Sequence, residues 1–379
     1  MPSKHRFRLL AALCAFLMIL IAPQPAGAGT SSSSKTQSAS QGHIHRKWHR
    51  HLNGSWYRER HNHRSHHHRR PETPPTTTPP TPVPTPVPVP VPVPTPTPSP
   101  VAGECLNRNP LARISGAQGV RFKPGVEVAT AIDARGASWT QVDDWPVSIT
   151  GSGPVCWSGG SIAGTWGPET SWETFHGTGG FSIANPNSIV ENVRVHNYGD
   201  AINIRNGAID WRVRGAYTTM THDDCLQDDY LNAGVVSDSL FDGCYVGIST
   251  RPSKSDTGSD GRTKTVTVET TLLRLQPMPT VYKGQAPGHG GLFKWDTAAR
   301  RSPMLVLRNN IFRVDQAPNH GSLGLPEGYE VTCSGNTIVW LGSGAFPDEA
   351  SWRTRCPDTR IVTTRSVWDN AVNAWHAAR

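Results

Sequence analysis

Beyond residue 100 the apolar positions come in short bursts. Small runs of Val, Ile, Leu and Phe alternate with polar residues and are broken by Gly, Asn and Asp. Long 3.6-residue periodicity is nearly absent, so the pattern predicts many short strands and few helices. Several segments look alike. VRVHNYGDAINI (193–204) lines up with VRGAYTTMTHDDCLQD (213–228), which sets Asp200 against Asp224, 24 residues on. DSLFDGCYVGIS (238–249) follows, with Cys244 19 residues after Cys225. LVLRNNIFRV (305–314) and VTCSGNTIVW (331–340) share a strand, an Asn-rich corner and a second strand, and VSITGSGPVCWSGGSIAGTW (147–166) has the same texture with more glycine.

A unit of 19 to 25 residues with two or three tiny strands cannot bury its own apolar face, whereas stacked units share one interior. A leucine-rich repeat would need regularly spaced leucines, which are missing. A β-sandwich is the alternative, but it gives no reason for Asp-Ala-Ile to recur as Asp-Cys-Leu one unit later. The expected fold of residues 101–379 is therefore all-β, a parallel β-helix or solenoid. Asn192, Asn310 and Asn336 are expected to stack at its corners. Val367, Trp368, Val372 and Trp375 follow Ser366 and Asp369 at near-helical spacing. They predict a short capping helix over 366–377, with a capping-box start, covering the open end of the stack.

The first 100 residues are of another kind. Lys4, Arg6 and Arg8 precede an apolar run from Leu9 to Ile21, and Ala26-Gly27-Ala28 follows, the layout of a secretory signal peptide over 1–28. The run is too short for a comfortable membrane span, and no later segment is apolar enough for one. Residues 29–70 predict a disordered tail. Its second half holds nine histidines (His43, His45, His49, His51, His61, His63, His66, His67 and His68) among eight Lys and Arg. A transition-metal site is one reading of such a tract. A polycation that charges further below about pH 6.5 and adheres to anionic polymer is the preferred one, because the interleaved arginines repel a metal. Residues 71–100 are Pro, Thr and Val, with proline at every even position from 80 to 100. They predict a semi-rigid polyproline spacer.

Charge follows this division. The chain carries formal net charge +8, but residues 1–100 hold 12 Lys and Arg against 2 acids, and the remainder holds 25 against 27. A nucleic-acid-binding domain is disfavoured, since its basic footprint should lie on the fold. Six cysteines remain after Cys14, an even number suited to disulfides in a secreted or cell-surface chain. Cys225 and Cys244 hold equivalent places on neighbouring units and are expected to bridge or stack. Cys333 with Cys356 and Cys105 with Cys156 follow by proximity.

Candidate chemistry concentrates in THDDCLQDDY (221–230), which carries His222, Asp223, Asp224, Asp228 and Asp229. Asp200 lies one unit away. Gathered carboxylates repel one another unless they hold a cation, share a proton or stay solvated. Asp200, Asp223, Asp224 and Asp228 are the hard oxygen ligands expected of a calcium site. A polysaccharide lyase built on it needs a base, for which Lys294, Lys264 and Arg251 are the candidates. Asp200, Asp223 and Asp224 would instead be the acid and base of a glycosidase. The plain alternative is that these acids cap turns. Residues 251–264 read as an insertion flanking the groove, and Asp256-x-Gly258-x-Asp260-Gly261 is half of a calcium loop without its distal Glu. Trp157, Trp166 and Trp172 are candidate sugar platforms or core residues.

On these residues the chain resembles the pectin-lyase-like superfamily over about 105–365. That resemblance implies a right-handed parallel β-helix. Polygalacturonase-type hydrolases have an Asp on one rung and Asp-Asp-Cys on the next, as do Asp200 and Asp223-Asp224-Cys225. They continue with Gly-His-Gly on the third rung and then Arg-x-Lys. Here the third rung reads GCYVGIS (243–249), and Gly288-His289-Gly290 comes later. Calcium-dependent pectate lyases are similar in pairing an Asp and an Asp-Asp-x-x-Asp group with a later lysine, roles for Asp200, Asp223, Asp224 and Lys264 or Lys294. Bacterial β-helix proteins of unassigned activity share the DDC…DSLFDGCY texture. Acidic polysaccharide or a cell-surface glycan is thus the expected partner. Lyase chemistry is preferred; a hydrolase and a non-catalytic glycan binder are the alternatives, and a metal-responsive protein acting through the tail is a third.

Overall fold

The computed structural model describes residues 103–140, 142, 144–253, 256, 258–279 and 286–379. The expected signal peptide, tail and linker lie outside the described residues. The rest is a parallel β-helix. Its strands pair with those one rung before and after, and form three parallel sheets that follow one another around each rung.

The first sheet runs from Leu111–Ala117 and Thr130–Thr140 through Val155–Ser158, Ile189–Glu191, Trp211–Arg214, Gly234–Ser237, Thr265–Glu269 and Met304–Arg308 to Val331–Ser334. The second takes Ser161–Ala163, Arg194–Tyr198, the first halves of Tyr217–Asp228 and Leu240–Thr250, then Leu272–Leu275, Ile311–Val314, Thr337–Trp340 and Arg360–Val362. The third takes Val147–Ile149, Gly179–Ile183, Asp200–Ile204, the second halves of the same two long strands, and Phe293–Trp295. Inward positions stack in register. Phe181, Ile202, Leu226, Ile248 and Phe293 make one such column, and all are buried. Each contributes roughly 1.5–3 kcal/mol of apolar burial.

The corner between the first and second sheets recurs with one backbone solution. Its first residue has positive φ on seven rungs: Gly159, Asn192, Gly215, Asp238, Thr270, Asn309 and Gly335. Gly, Asn and Asp dominate there because they enter this region most readily. On three of these rungs the next residue, Ser239, Asn310 or Asn336, accepts through its side chain from the rung before. Asn336 Oδ1 accepts from Asn310 N at 3.1 Å and from Asn310 Nδ2 at 2.9 Å, and Asn310 Oδ1 accepts from Thr271 N at 3.0 Å. Asn310 and Asn336 thus form the expected ladder. Asn192 does not belong to it, since it holds the positive-φ position one residue earlier.

Rung length varies more than the sequence suggested. Tyr217 lies opposite Leu240, but Leu240 lies opposite Leu272 and Leu272 opposite Ile311, because two rungs carry long insertions. All three cysteine pairs are disulfides: Cys105–Cys156, Cys225–Cys244 and Cys333–Cys356. Cys225 and Cys244 are not equivalent, however. Cys244 pairs with Thr221, the register shifts, and the bond crosses diagonally.

Three helices complete the fold. α1 (Trp172–His176) sits between Ser161–Ala163 and Gly179–Ile183, with Ser171 Oγ accepting from Thr174 N. α2 (Glu349–Arg355) follows the last rungs, beyond the end of the third sheet, and buries Trp352 against Phe293 and Phe312. α3 (Ser366–Ala377) is the expected C-terminal helix, but Ser366 is its first helical residue and no side chain caps it. It lies along the outside of the second sheet. There Trp368, Ala371 and Trp375 cover Leu240, Leu272, Ile311 and Val339, and Trp375 Nε1 donates to Asp238 O. What needed covering was an outward apolar column on that sheet.

The corner ladder gives a stability test. Asn310→Ala leaves Thr271 N–H and Val268 C=O without their buried partner and should lower the unfolding free energy by about 2–4 kcal/mol. Asn192→Gly keeps the required φ and should change it by less than about 0.5 kcal/mol. Urea unfolding checks both, and equal losses would contradict the assignment.

Candidate active site

The second corner, between the second and third sheets, builds the site. Asn197, Met220 and Gly243 hold its positive-φ position on three successive rungs. Methionine is costly there, roughly 1–3 kcal/mol by analogy with other strained residues. With the register shift that follows it, Met220 re-aims His222, Asp223 and Asp224 at the edge of the third sheet. Asp200 stands at the matching edge one rung earlier and accepts from Asp224 N at 3.2 Å. One oxygen from each of Asp200, Asp223 and Asp224 lies within 4.8 Å of the others, and all three are buried.

Two cations face this trio. Lys294 leans back along the stack from Phe293–Trp295, over Ser249. Its Nζ lies 3.1 and 2.9 Å from the two oxygens of Asp224 and 3.6 Å from Asp223. His176 comes from α1, and its Nδ1 is 2.7 Å from Asp223 Oδ2. Trp172 stacks on the same imidazole, with ring centroids 4.4 Å apart. Phe175 stacks on buried His222, whose Nε2 meets Asn197 Oδ1 at 2.9 Å.

These contacts divide the protons. Burial, reinforced by Asp224 and Asp223, pushes the Asp200 carboxyl well above the usual aspartate range. Burial would raise Asp223 too, but Lys294 and the His176 hydrogen bond outweigh it and hold Asp223 below that range. Burial pushes Asp224 up to about 7 against the pull of the Lys294 ammonium, which sits on both of its oxygens. Burial opposes the Lys294 charge, yet Asp223 and Asp224 raise its pKa. The bond to Asp223 raises His176. The three acids are thus pushed in different directions: Asp200 toward its neutral form and Asp223 toward its ionised form, with Lys294 and His176 drawn toward their charged forms.

The other residues singled out from sequence lie elsewhere. Asp228 faces the interior at the end of its strand and accepts from Tyr230 N, Asn232 N and Asn232 Nδ2, so it caps a turn and is not among the trio. Burial pushes it up to about 7. Lys264 precedes a strand of the first sheet, where its charge acts on Asp260. Arg251 is exposed after Leu240–Thr250 and acts on Asp229 and Lys294, at the rim. Asp256 makes a local turn with Gly258 and Ser259, Asp260 pairs with Arg262, and Arg301 bonds the carbonyls of Asp256 and Ser259, so the acids of the half calcium loop are engaged in turn contacts. Trp157 is core, at 0% exposure, leaving Trp166 and Trp172 near the site. Gly288-His289-Gly290 lies in the insertion before Phe293–Trp295; Gly290 N donates to Tyr245 O, while His289 binds Gly290 O and Gln316 O.

His176 escaped the sequence reading, and so did Trp145. Its indole lies on Gly179, directly opposite Asp200. Only their place in insertions and corners around the acids could have drawn attention to them. Among the described residues no helix is long and apolar enough to cross a membrane. No family model, no curated protein and no solved structure matches this chain.

The neutral Asp200 has a consequence for stability. A carboxyl raised in the fold contributes stability that is complete below the unfolded value, near 4, and is lost as pH rises through the folded value. Asp200→Asn removes that dependence and still accepts from Asp224 N. The Tm of the variant relative to the parent should therefore climb as pH rises above about 4. A constant difference in thermal melts above that pH would show that Asp200 is ionised in the fold.

Proposed function

We propose that this chain is an exported β-helix enzyme that cleaves an acidic polysaccharide, and that Asp200, Asp223 and Asp224 carry the proton transfers. The observation that carries this reading is the convergence of the three acids inside one 4.8 Å cluster, with Lys294 on Asp224 and His176 on Asp223. Buried carboxyls whose environments push them apart suit an acid and a base. Asp200, held neutral, donates its proton to the bridging oxygen as the glycosidic bond breaks. Asp223, held ionised, takes a proton from the water that adds to the sugar carbon. Asp224 keeps Lys294 in place. An incoming uronate carboxylate competes with Asp224 for that ammonium, and drawing it away opens the trio to substrate.

Hydrolysis is favoured over elimination by a lysine base, because Lys294 is protonated and held by Asp224. The cation-assisted lyase has one observation of its own. Three hard carboxylate oxygens this close also fit calcium, with Asp200, Asp223 and Asp224 as ligands. Such a cation would neutralise the developing charge beside a uronate carboxylate. Loading requires Asp200 to lose its proton and Lys294 to leave Asp224, so affinity for the ion would rise with pH.

The test incubates the full chain with polygalacturonate and with alginate, with calcium and with chelator. New reducing ends without unsaturated uronide, indifferent to chelator, are expected. Asp200→Asn and Asp223→Asn should each lower the rate about 10²–10⁴-fold. Unsaturated product that vanishes with chelator would establish the lyase instead. Binding without product, unchanged by either substitution, would remove both enzymatic readings and leave a glycan binder.

A further inference from the structure

Trp145 is held in an unusual way. Its φ is 46°, a region that bulky side chains rarely enter. The backbone is fixed there, since Trp145 N donates to Gly179 O at 2.8 Å. The indole in turn lies flat enough on Gly179 that a methyl group at that position would overlap its six-membered ring. Gly179 is the residue directly opposite Asp200, so the ring forms the next step of the column that holds Asp200 and Asp224. Nothing in core packing asks for this. Trp145 is half-buried and lies outside the main apolar cluster.

Arg205 stands over the same ring, its guanidinium carbon 5.5 Å from the ring centroid. It is exposed, and among the described residues it ion-pairs with no carboxylate and its side chain makes one hydrogen bond, a 3.4 Å contact to Asn203 Oδ1. Its charge acts on both Asp144 and Asp229, so it lies within reach of the segment that bears Trp145 and of the turn after Asp228. A strained aromatic and a loosely held guanidinium thus sit together, one rung from the neutral acid.

We propose that Trp145 and Arg205 form a binding subsite for one uronate ring beside Asp200. The apolar face of the sugar stacks on the indole, and Arg205 swings from the ring to grip the sugar carboxylate in a bidentate pair. The Arg205–Trp145 contact of the free protein keeps the platform covered until that exchange occurs. This rests on the acidic-polysaccharide reading of the same site, and it adds a specificity: the ring bound next to the acid must carry a free carboxylate.

Binding is measured by calorimetry in the Asp200→Asn chain, which keeps the neutral group and lacks the acid. The probes are galacturonate and mannuronate oligomers and, as the uncharged control, methyl-esterified galacturonate oligomers. Arg205→Ala should weaken the acidic oligomers about 10-fold and leave the esterified one within about twofold. Trp145→Ala should weaken both by about 10-fold, and Trp145→Phe should restore most of the loss. Circular dichroism guards against unfolding, and Arg205→Ala, an exposed substitution, decides the matter if Trp145→Ala fails to fold. Acidic-oligomer affinities within twofold of the parent in Arg205→Ala, or no binding of any acidic oligomer by the parent, overturn the subsite. Charge discrimination without cleavage by the unsubstituted chain overturns only the enzymatic reading, and cleavage without discrimination overturns only the subsite.

Discussion

Everything in this molecule depends on pairing between rungs. A strand of three to five residues, such as Ile189–Glu191 or Asp200–Ile204, has no stability of its own. Its backbone groups are satisfied only by the rungs above and below, at roughly 4.8 Å spacing. That requirement fixes the corners, because each rung must turn at the same place as its neighbours or lose pairing. The positive-φ residues from Gly159 to Gly335 are the trace of that requirement in the sequence. It also fixes the surface. Residues one rung apart emerge side by side, so Asp200 and Asp224 are neighbours because their strands are in register.

Placing three carboxyls at one rung edge then sets an electrostatic condition. Buried together, they cannot all ionise without compensation. Lys294 and His176 approach from rungs on opposite sides of the trio and favour charge on Asp224 and Asp223, while burial favours the proton on Asp200. The geometry of Lys294 follows from its neighbours as well. Its side chain can lie back along the stack because the column beneath it offers Ser249 and then Gln227 in place of bulky groups. The same arrangement that makes the cluster bearable in the fold leaves it with a proton donor, a proton acceptor and a removable cation.

Features carried by register were legible in the sequence, and features carried by insertions were not. The recurrence of Asp-Ala-Ile as Asp-Cys-Leu placed Asp200 beside Asp224 because the single turn of the stack that joins them has no insertion. The Asn310–Asn336 ladder was legible for the same reason, whereas the disulfides followed from cysteine order along the chain, Cys225–Cys244 crossing a register shift. Asp228 could not be told from a ligand, since a bulge changes which face each residue of Tyr217–Asp228 presents. Lys264 and Lys294 look alike in sequence, yet one begins a strand of the first sheet and the other sits in the third. The surface under α3 was hidden too. Leu240, Leu272 and Ile311 read as core residues, whereas they point outward and need a helix to cover them.

The insertions themselves fall in a meaningful place. On the rungs that carry Asp200, Asp223 and Asp224 the second sheet passes into the third almost without interruption, from Arg194–Tyr198 to Asp200–Ile204 and within the single strands Tyr217–Asp228 and Leu240–Thr250. The rungs on either side behave differently. Ser161–Ala163 is separated from Gly179–Ile183 by the segment that bears α1, and Leu272–Leu275 from Phe293–Trp295 by the segment that bears His289. Both insertions leave the stack at the same corner, on the rungs before and after those of the acid trio. One insertion delivers His176 to Asp223, and the strand that follows the other delivers Lys294 to Asp224. A solenoid tolerates inserted residues at any corner, since loop closure costs little. Their concentration at this corner, with the tight rungs kept for the acids, is what a cleft built to hold a chain across the stack requires.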